Sequence, residues 1–231
     1  MELIHIDEEL KQQQIDLSLA YLTFEGIYVK REKTLILKNY TSEIMRKVKC
    51  AYHLDSLKED QIIRYYRDFY WHYLNIDPTK TRPSSEALIR RILADKPIPH
   101  ISNIVDLNNW VSIQTKIPLG AYDLDCLNLP LTLRYAKEGE EFQPIGGKIT
   151  YLKGNEIILS DLDNNIIHLY PHRDSNVTKI TNKTKTMLVT ACGVPNISDI
   201  GLKRALKIFK DLLGRISEIP IKSSKITLIC S

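Results

Sequence analysis

Ser102-Asn103-Ile104-Val105-Asp106-Leu107-Asn108-Asn109-Trp110, followed by Pro118-Leu119-Gly120-Ala121-Tyr122-Asp123-Leu124-Asp125, is where the chain changes character. From Ile101 to about Thr115 the spacing predicts a helix, with Ile104, Val105, Trp110, Val111 and Ile113 on its inner surface. Asn103, Asn108 and Asn109 interrupt that apolar pattern. Asparagine competes with the helix for backbone hydrogen bonds, so an adjacent pair inside one needs a reason, and a polar site is such a reason. Beyond Pro118 the texture turns to strands and turns, with Pro118 to Asp123 read as a turn that shapes a pocket.

Upstream, Leu17 to Phe24, Gly26 to Val29 and Thr34 to Leu37 read as short strands, and Thr41 to Ala51 as a helix. Ser56-Leu57-Lys58-Glu59 has the form of a capping box opening a helix to Leu74, with Ile62, Tyr65, Tyr66, Phe69 and Tyr73 turned inward. A further helix runs from the Thr81 to Glu86 segment to Ala94. Downstream, Leu131 to Tyr135, Gly147 to Tyr151, Ile157 to Leu159, Ile166 to Tyr170 and Met187 to Ala191 read as strands, with turn chemistry at Glu138-Gly139 and Asp163-Asn164-Asn165. Ser198 caps a long amphipathic helix ending near Pro220, and Lys225 to Cys230 forms a last strand. The class is mixed α/β (α+β), with helices packed on a mostly antiparallel sheet.

The 231 residues are 43% hydrophobic and 26% charged, enough to bury a core without disulfides or a structural metal. No apolar run approaches the roughly 20 residues that cross a bilayer, and Met1 to Gln14 lacks a signal-like apolar region, so a soluble, cytoplasmic protein without membrane partners is expected. Cys50, Cys126, Cys192 and Cys230 are too scattered for a zinc set and read as reduced or buried thiols. Lys179 to Ser231 holds ten Lys or Arg against three acids, a net +7, which leaves −3 on the rest of a chain of net +4. That basic third fits either a phosphate footprint, centred on Lys203, Arg204, Lys207 and Lys210, or a solvated helix face.

Phosphate-loop, dinucleotide and nucleophile-elbow motifs are absent from the sequence. His168 and His172 stand four apart, but Pro171 lies between them in an extended stretch, so no metal pair and no cofactor is expected. A second polar constellation remains: His172-Arg173-Asp174-Ser175-Asn176-Val177-Thr178, then Ile180-Thr181 and Thr184. Polar groups at this density beside apolar strands suggest a pocket with fixed donors and acceptors.

The first constellation resembles the Ile-Asn-Asn-Val-Val-Asp, Thr-Asn-Tyr-Val and Gln-Pro-Leu-His-Ala-Phe-Asp segments of the B-three/B-four editing domain in the beta subunit of phenylalanyl-tRNA synthetase. The second is similar to the region where that domain has a Gly-Gly-Glu-x-Ser segment before a Thr. Tyr66-Arg67-Asp68-Phe69-Tyr70 and Ile76-Asp77-Pro78-Thr79-Lys80-Thr81-Arg82-Pro83-Ser84-Ser85-Glu86-Ala87-Leu88 look closer still to stand-alone proteins built around it. The resemblance covers roughly residues 60 to 190. It implies a single editing-type domain over 1–231, with an N-terminal α/β extension over 1–55 and a basic C-terminal helix and strand over 198–230.

It also implies a pocket for the aminoacylated 3′ end of a mischarged tRNA, or a free amino acid, and metal-free ester hydrolysis by a positioned water. An aminoacyl ester is already activated, so orientation and a few donors at the developing oxyanion are sufficient physically. Carried over by position, the family's Thr-Asn pair falls on Asn108 and Asn109, its His on Gly120, its Phe-Asp on Tyr122 and Asp123, and its tyrosine-reading Glu on Arg173. The expected catalytic set is Asn109, Arg173 and Asp174. Asn108, Gly120, Tyr122, Asp123 and Ser175 are expected to bind substrate. The rival reading is a non-catalytic module holding RNA or an amino acid, and each of these residues has a purely architectural alternative as a cap, a buried backbone partner or an Arg–Asp pair.

Overall fold

A computed structural model describes residues 2–231. Two residues per strand repeat and two buried faces explain its centre. Along Ser18–Glu25, Leu19 and Tyr21 point into one apolar cluster while Ala20, Leu22 and Phe24 point into another. Thr186–Gly193, paired antiparallel along its whole length with that strand, divides the same way: Leu188 and Cys192 to one side, Met187, Val189 and Ala191 to the other. Strands buried on both faces must be covered by a layer on each side.

On one side lies a second sheet, in the spatial order Ile4–Ile6, Leu131–Tyr135, Ile157–Ser160, Ile166–Leu169, Arg173–Asp174. All its pairings are antiparallel except that of Ile4–Ile6 with Leu131–Tyr135, which is parallel. The helix Gln61–His72 closes the cluster between the sheets with Tyr66, Phe69 and Tyr70. On the other side, the helices Asn103–Thr115 and Asp199–Ile216 cover the central sheet, while Leu35–Ala51 and Ser84–Leu93 pack against the first of these through Trp110 and Ile113. The central sheet has the order Lys222–Ser223, Ser18–Glu25, Thr186–Gly193, Leu119–Asp123, and Thr227–Cys230 also pairs with Ser18–Glu25. Ser18–Glu25 and the two C-terminal strands therefore share a sheet with the motif-bearing strand Leu119–Asp123, while Ile4–Ile6 joins the other sheet.

Several local expectations change. Thr34 to Leu37 is not a strand: the Thr34 hydroxyl accepts from the Leu37 N–H at 3.2 Å and caps a helix whose buried stripe is Leu37, Thr41, Ile44 and Val48. Three aliphatic residues in a row look strand-like, but the cap and the longer periodicity prevail. Gly26 to Val29 is irregular, tied down by Asn103, whose amide donates to the Tyr28 carbonyl and accepts from the Lys30 N–H. Ser56 makes no cap; Asp60 does, accepting from the Ile62 and Ile63 N–H groups. Pro118 to Asp123 is not a turn but leads into the edge strand Leu119–Asp123. Glu138-Gly139 opens the strand Glu138–Phe142, which pairs with Thr150–Lys153 across a register irregularity. Of the four free cysteines only Cys192 is buried.

Candidate functional site: a cleft between a helix and a strand hairpin

The helix Asn103–Thr115 ends at Lys116, which takes a left-handed conformation (φ 64°) and turns the chain back toward Leu119. Asn108 and Ser112, one turn apart, then bracket that residue: the Ser112 hydroxyl accepts from the Leu119 N–H at 3.2 Å and the Asn108 amide donates to the Leu119 carbonyl at 2.9 Å. An edge strand leaves backbone groups unpaired, and these two side chains satisfy them. The bond to Leu119 fixes which way the Asn108 amide points. Its Oδ1 is left buried and without a partner among the described residues.

Opposite this helix end stands the hairpin of Ile166–Leu169 and Arg173–Asp174. Its register sets His168 across from Asp174 and Leu169 across from Arg173. Directly opposed side chains share a face, so the His168 Nδ1 donates to Asp174 Oδ1 at 2.8 Å. The same oxygen accepts from the Tyr122 hydroxyl at 3.0 Å. The other ring nitrogen of His168 lies 3.8 Å from the Cys192 sulfur. Burial opposes charge on this imidazole, but hydrogen bonding to Asp174 and Cys192, with the nearby negative charge, outweighs it and lifts its pKa to about 10. His168 is thus an imidazolium held against a carboxylate in the core. His172 behaves oppositely: burial first, then the charges of Arg173 and His168, push its pKa down to about 4, and the Tyr70 hydroxyl donates to its Nδ1 at 3.3 Å.

Between the two elements is a cleft of about 100 Å³ bordered by Asn108, Asn109, His168, His172, Arg173 and Asp174, with Ser84, Leu88, Ser112, Pro118, Leu119 and Pro171 completing the wall. Asn109 and Arg173, 64 positions apart in sequence, open into one space. Neither side chain has a hydrogen bond or ion pair among the described residues, so Arg173 is not a partner of Asp174 or Asp161.

Four expected substrate-binding residues do not border this cleft. Tyr122 is fully buried behind Asp174. A Cβ built on Gly120 would lie 1.9 Å from the Tyr122 hydroxyl oxygen, so the phenol folds back along the strand and fills the place of a side chain at 120. Asp123 is engaged inside the fold: one oxygen accepts from the Asp125 N–H and the other from the Thr184 hydroxyl at 2.6 Å. Ser175 is buried at the strand end. Of these, Tyr122 supports the wall from behind through Asp174. Lys203, Arg204, Lys207 and Lys210 are all exposed on the outer face of Asp199–Ile216, where Lys207 pairs with Asp211 at 3.0 Å.

Both His168 and His172 line the cleft; the sequence put His172 in the second polar constellation without a role of its own and weighed His168 only as half of a metal pair. Counting outward from Pro171 across a hairpin would have placed His168 facing Asp174. A larger cleft of about 590 Å³ lies elsewhere, between the Gly26 to Thr34 segment and Ile216 to Ile219. Of the asparagines that interrupt the helix, it contains only Asn103, whose amide is already used by the loop it anchors.

The layers and the cleft define a domain in which a helix terminus and a strand hairpin enclose a small polar site. Residues 65–218 match the family described as the B3/4 domain, and the chain belongs to that family. It is 33% identical over 136 residues to the phenylalanine–tRNA ligase beta subunit of Fusobacterium nucleatum, covering 59% of this chain and 17% of that one. It is 28% identical over 146 residues to the corresponding subunit of Tropheryma whipplei, covering 62% and 15%. The chain therefore spans only about a sixth of the length of these relatives. An N-terminal fragment of the phenylalanyl-tRNA synthetase beta subunit from Pyrococcus horikoshii superposes with a TM-score of 0.52 over 92% of this chain and 48% of the other. At 15% identity that likeness shows the fold alone.

Proposed function

We propose that the chain hydrolyses the ester of a mischarged aminoacyl-tRNA, acting on the charged 3′ end in its small cleft. The observation that carries this reading is the convergence of Asn109 and Arg173, both without partners among the described residues, on one space beside Asn108 and Asp174. Polar side chains that a fold brings together and leaves unused are available to a ligand. The volume fits as well: at about 100 Å³ the cleft is below the roughly 300 Å³ of a pocket that engulfs a small molecule, and suits the end of a larger ligand. Its kinship with a domain of a tRNA ligase subunit makes tRNA the natural larger ligand.

Water attacks the ester carbonyl, the carbonyl oxygen takes up negative charge, and the bond to the ribose oxygen breaks with a proton passing to that leaving oxygen. Arg173 and the Asn109 amide are the donors suited to the developing oxyanion, and each such donor is worth roughly a hundredfold or more in rate. His172 is neutral at physiological pH, and with its Nδ1 accepting from Tyr70 its Nε2 carries the proton, so it can donate a hydrogen bond to water or to the substrate but is not a base in this tautomer. Lys203, Arg204, Lys207 and Lys210 would then meet the tRNA backbone.

The second reading, binding without turnover, is favoured by Gly120: with Tyr122 filling the space above it, that position offers no side chain to the reaction. Deacylation over a panel of correctly and incorrectly charged tRNAs, after chelator treatment, separates the two. Turnover of at least one mischarged tRNA above the solvent rate supports hydrolysis. Uniform inactivity with RNA or amino-acid binding preserved establishes the module.

A further inference from the structure

The larger cleft, of about 590 Å³, shares no lining residue with the ester cleft and falls within the roughly 300–1,000 Å³ of pockets that enclose a small molecule. One lip is the segment after Ser18–Glu25, and the other runs from Ile216 to Ile219 at the end of a helix. The first lip is irregular, yet its backbone is tied down along its length. Gly26 turns the chain at a φ of 75°, and the Ile27 N–H donates to the Lys185 carbonyl at 3.0 Å. Asn103 holds Tyr28 and Lys30 through its side chain and Lys30 again through its own N–H. His100 then reaches the Arg31 carbonyl, and Thr34 caps the next helix. A loop whose backbone is satisfied so fully presents its side chains to a ligand at little further cost in ordering.

Those side chains form a definite chemical pattern. Tyr28 and Ile219, on opposite lips, both border the cavity and each keep 54% of their surface exposed. Two ammonium groups stand over the Tyr28 ring, Lys30 at 5.2 Å and Lys185 at 4.9 Å from its centre. Lys30 crosses to Glu218 on the other lip at 2.7 Å, so those two charges cancel. Arg31 and Lys185 have no ion pair among the described residues and outnumber Glu32, the other acid on the lining. We infer that this cleft is a nucleotide site, in which a base stacks on Tyr28 under the cover of Ile219 while its phosphate lies against Arg31 and Lys185. An aromatic platform beside unneutralised cations is the combination that holds unpaired nucleotides, because every base has a π-face and every nucleotide a phosphate. Glu218 and Glu32 are acceptors for the N–H groups of a base edge. A free mononucleotide and a nucleotide within a single RNA strand offer the same chemistry. The inference stands apart from the reading of the ester cleft.

The test is calorimetry on the whole chain with ribonucleoside 5′-monophosphates, the corresponding nucleosides, inorganic phosphate and single-stranded RNA pentamers. At least one nucleotide, free or in a pentamer, should bind roughly tenfold or more tighter than its nucleoside or phosphate alone, and added salt should weaken it. Tyr28→Ala, and separately Arg31→Ala combined with Lys185→Ala, should each reduce that affinity roughly fivefold or more with the melting transition unchanged. Should a variant fold poorly, ultraviolet cross-linking of a 4-thiouracil nucleotide or pentamer to the wild-type chain decides, with attachment expected on the two lips. A pentamer that binds far better than its monophosphate, with the same dependence on Tyr28, identifies a strand as the source; equal affinities identify a free nucleotide. No preference over nucleoside or phosphate, indifference to Tyr28→Ala in a folded variant, cross-links elsewhere, or no binding at millimolar concentration overturns the site. None of these outcomes touches the deacylase reading, which the tRNA panel decides.

Discussion

Two arginines, each inside a motif that carried the family resemblance, have opposite fates. Arg67 reaches the fully buried carboxylate of Glu86 at 3.1 Å, and Arg90, one turn beyond Glu86 on the same helix, reaches it at 2.7 Å. Arg173 stands exposed on the hairpin with no partner among the described residues, beside a cleft. In sequence the two look alike, a cation set among aromatic and polar neighbours. The difference teaches that a motif is not a unit of function: Arg67 and Glu86 hold two helices together, while the Arg173 side chain has no partner among the described residues. What separates them is the set of partners within reach, and that set exists only after folding.

The largest effect should come from breaking the first region. Glu86→Ala leaves two guanidinium groups facing a buried vacancy, and removal of one member of a buried ion pair destabilises by about 3–5 kcal/mol. A drop of that order in the free energy of chemical denaturation is expected. A loss under about 1 kcal/mol, the range of exposed pairs, would show the cluster to be solvated and the contrast with Arg173 overdrawn. Next in size, Arg173→Ala should leave the melting transition nearly unchanged while deacylation or ligand binding falls by about 1.5–3 kcal/mol, the range of a charged hydrogen bond. Ready unfolding with normal activity of the folded fraction would move Arg173 into the same class as Arg67.

A third, graded effect is expected with pH. The folded pKa of His168 is raised from 6.5 to about 10, so the native state holds a proton that the unfolded chain has released between those values. The corresponding stabilisation is complete below about pH 6.5 and is lost as pH climbs through about 10. Unfolding free energy should therefore decline between those two values in the wild type, and less steeply in His168→Gln. Identical slopes would mean that the ring is neutral in the core and that Asp174 is aimed by Tyr122 alone. The smallest effect is on salt dependence. If the exposed face of Asp199–Ile216 meets phosphates, replacing Lys203, Arg204, Lys207 and Lys210 together should flatten the dependence of log affinity for tRNA on log salt, by about 0.7–0.9 for each phosphate no longer neutralised. An unaltered slope would return those residues to an ordinary solvated helix face.

Much of the fold was legible because its signals are local. The Ser198 cap and the amphipathic pattern after it give the helix Asp199–Ile216, and the Ser198 hydroxyl does accept from the Gly201 N–H. The helix Asn103–Thr115 and the strands Leu131–Tyr135, Ile157–Ser160 and Ile166–Leu169 follow from periodicity in the same way. Misreadings fell where two local rules compete, as at Leu35 to Leu37, or where an edge strand lacks a long alternating run, as at Leu119–Asp123.

The candidate site divides along the same line. The sequence by itself determined that Asn108 and Asn109 were anomalous in a helix and that Arg173-Asp174 sat in a polar stretch out of place beside apolar strands, since both judgements need only neighbours a few residues away. Tertiary structure alone decided that Asn109 and Arg173 share a space, that Asn108 satisfies Leu119 with one end and leaves the other unfilled, and that Asp174 is gripped by His168 and Tyr122. It also decided that Gly120 has no room for a side chain because the Tyr122 hydroxyl stands there. The physical reason is that propensity and periodicity act over a turn of helix or a pair of strand residues. Whether a polar atom is paired, buried or free depends instead on groups tens of positions away, brought within about 3 Å by the packing of layers.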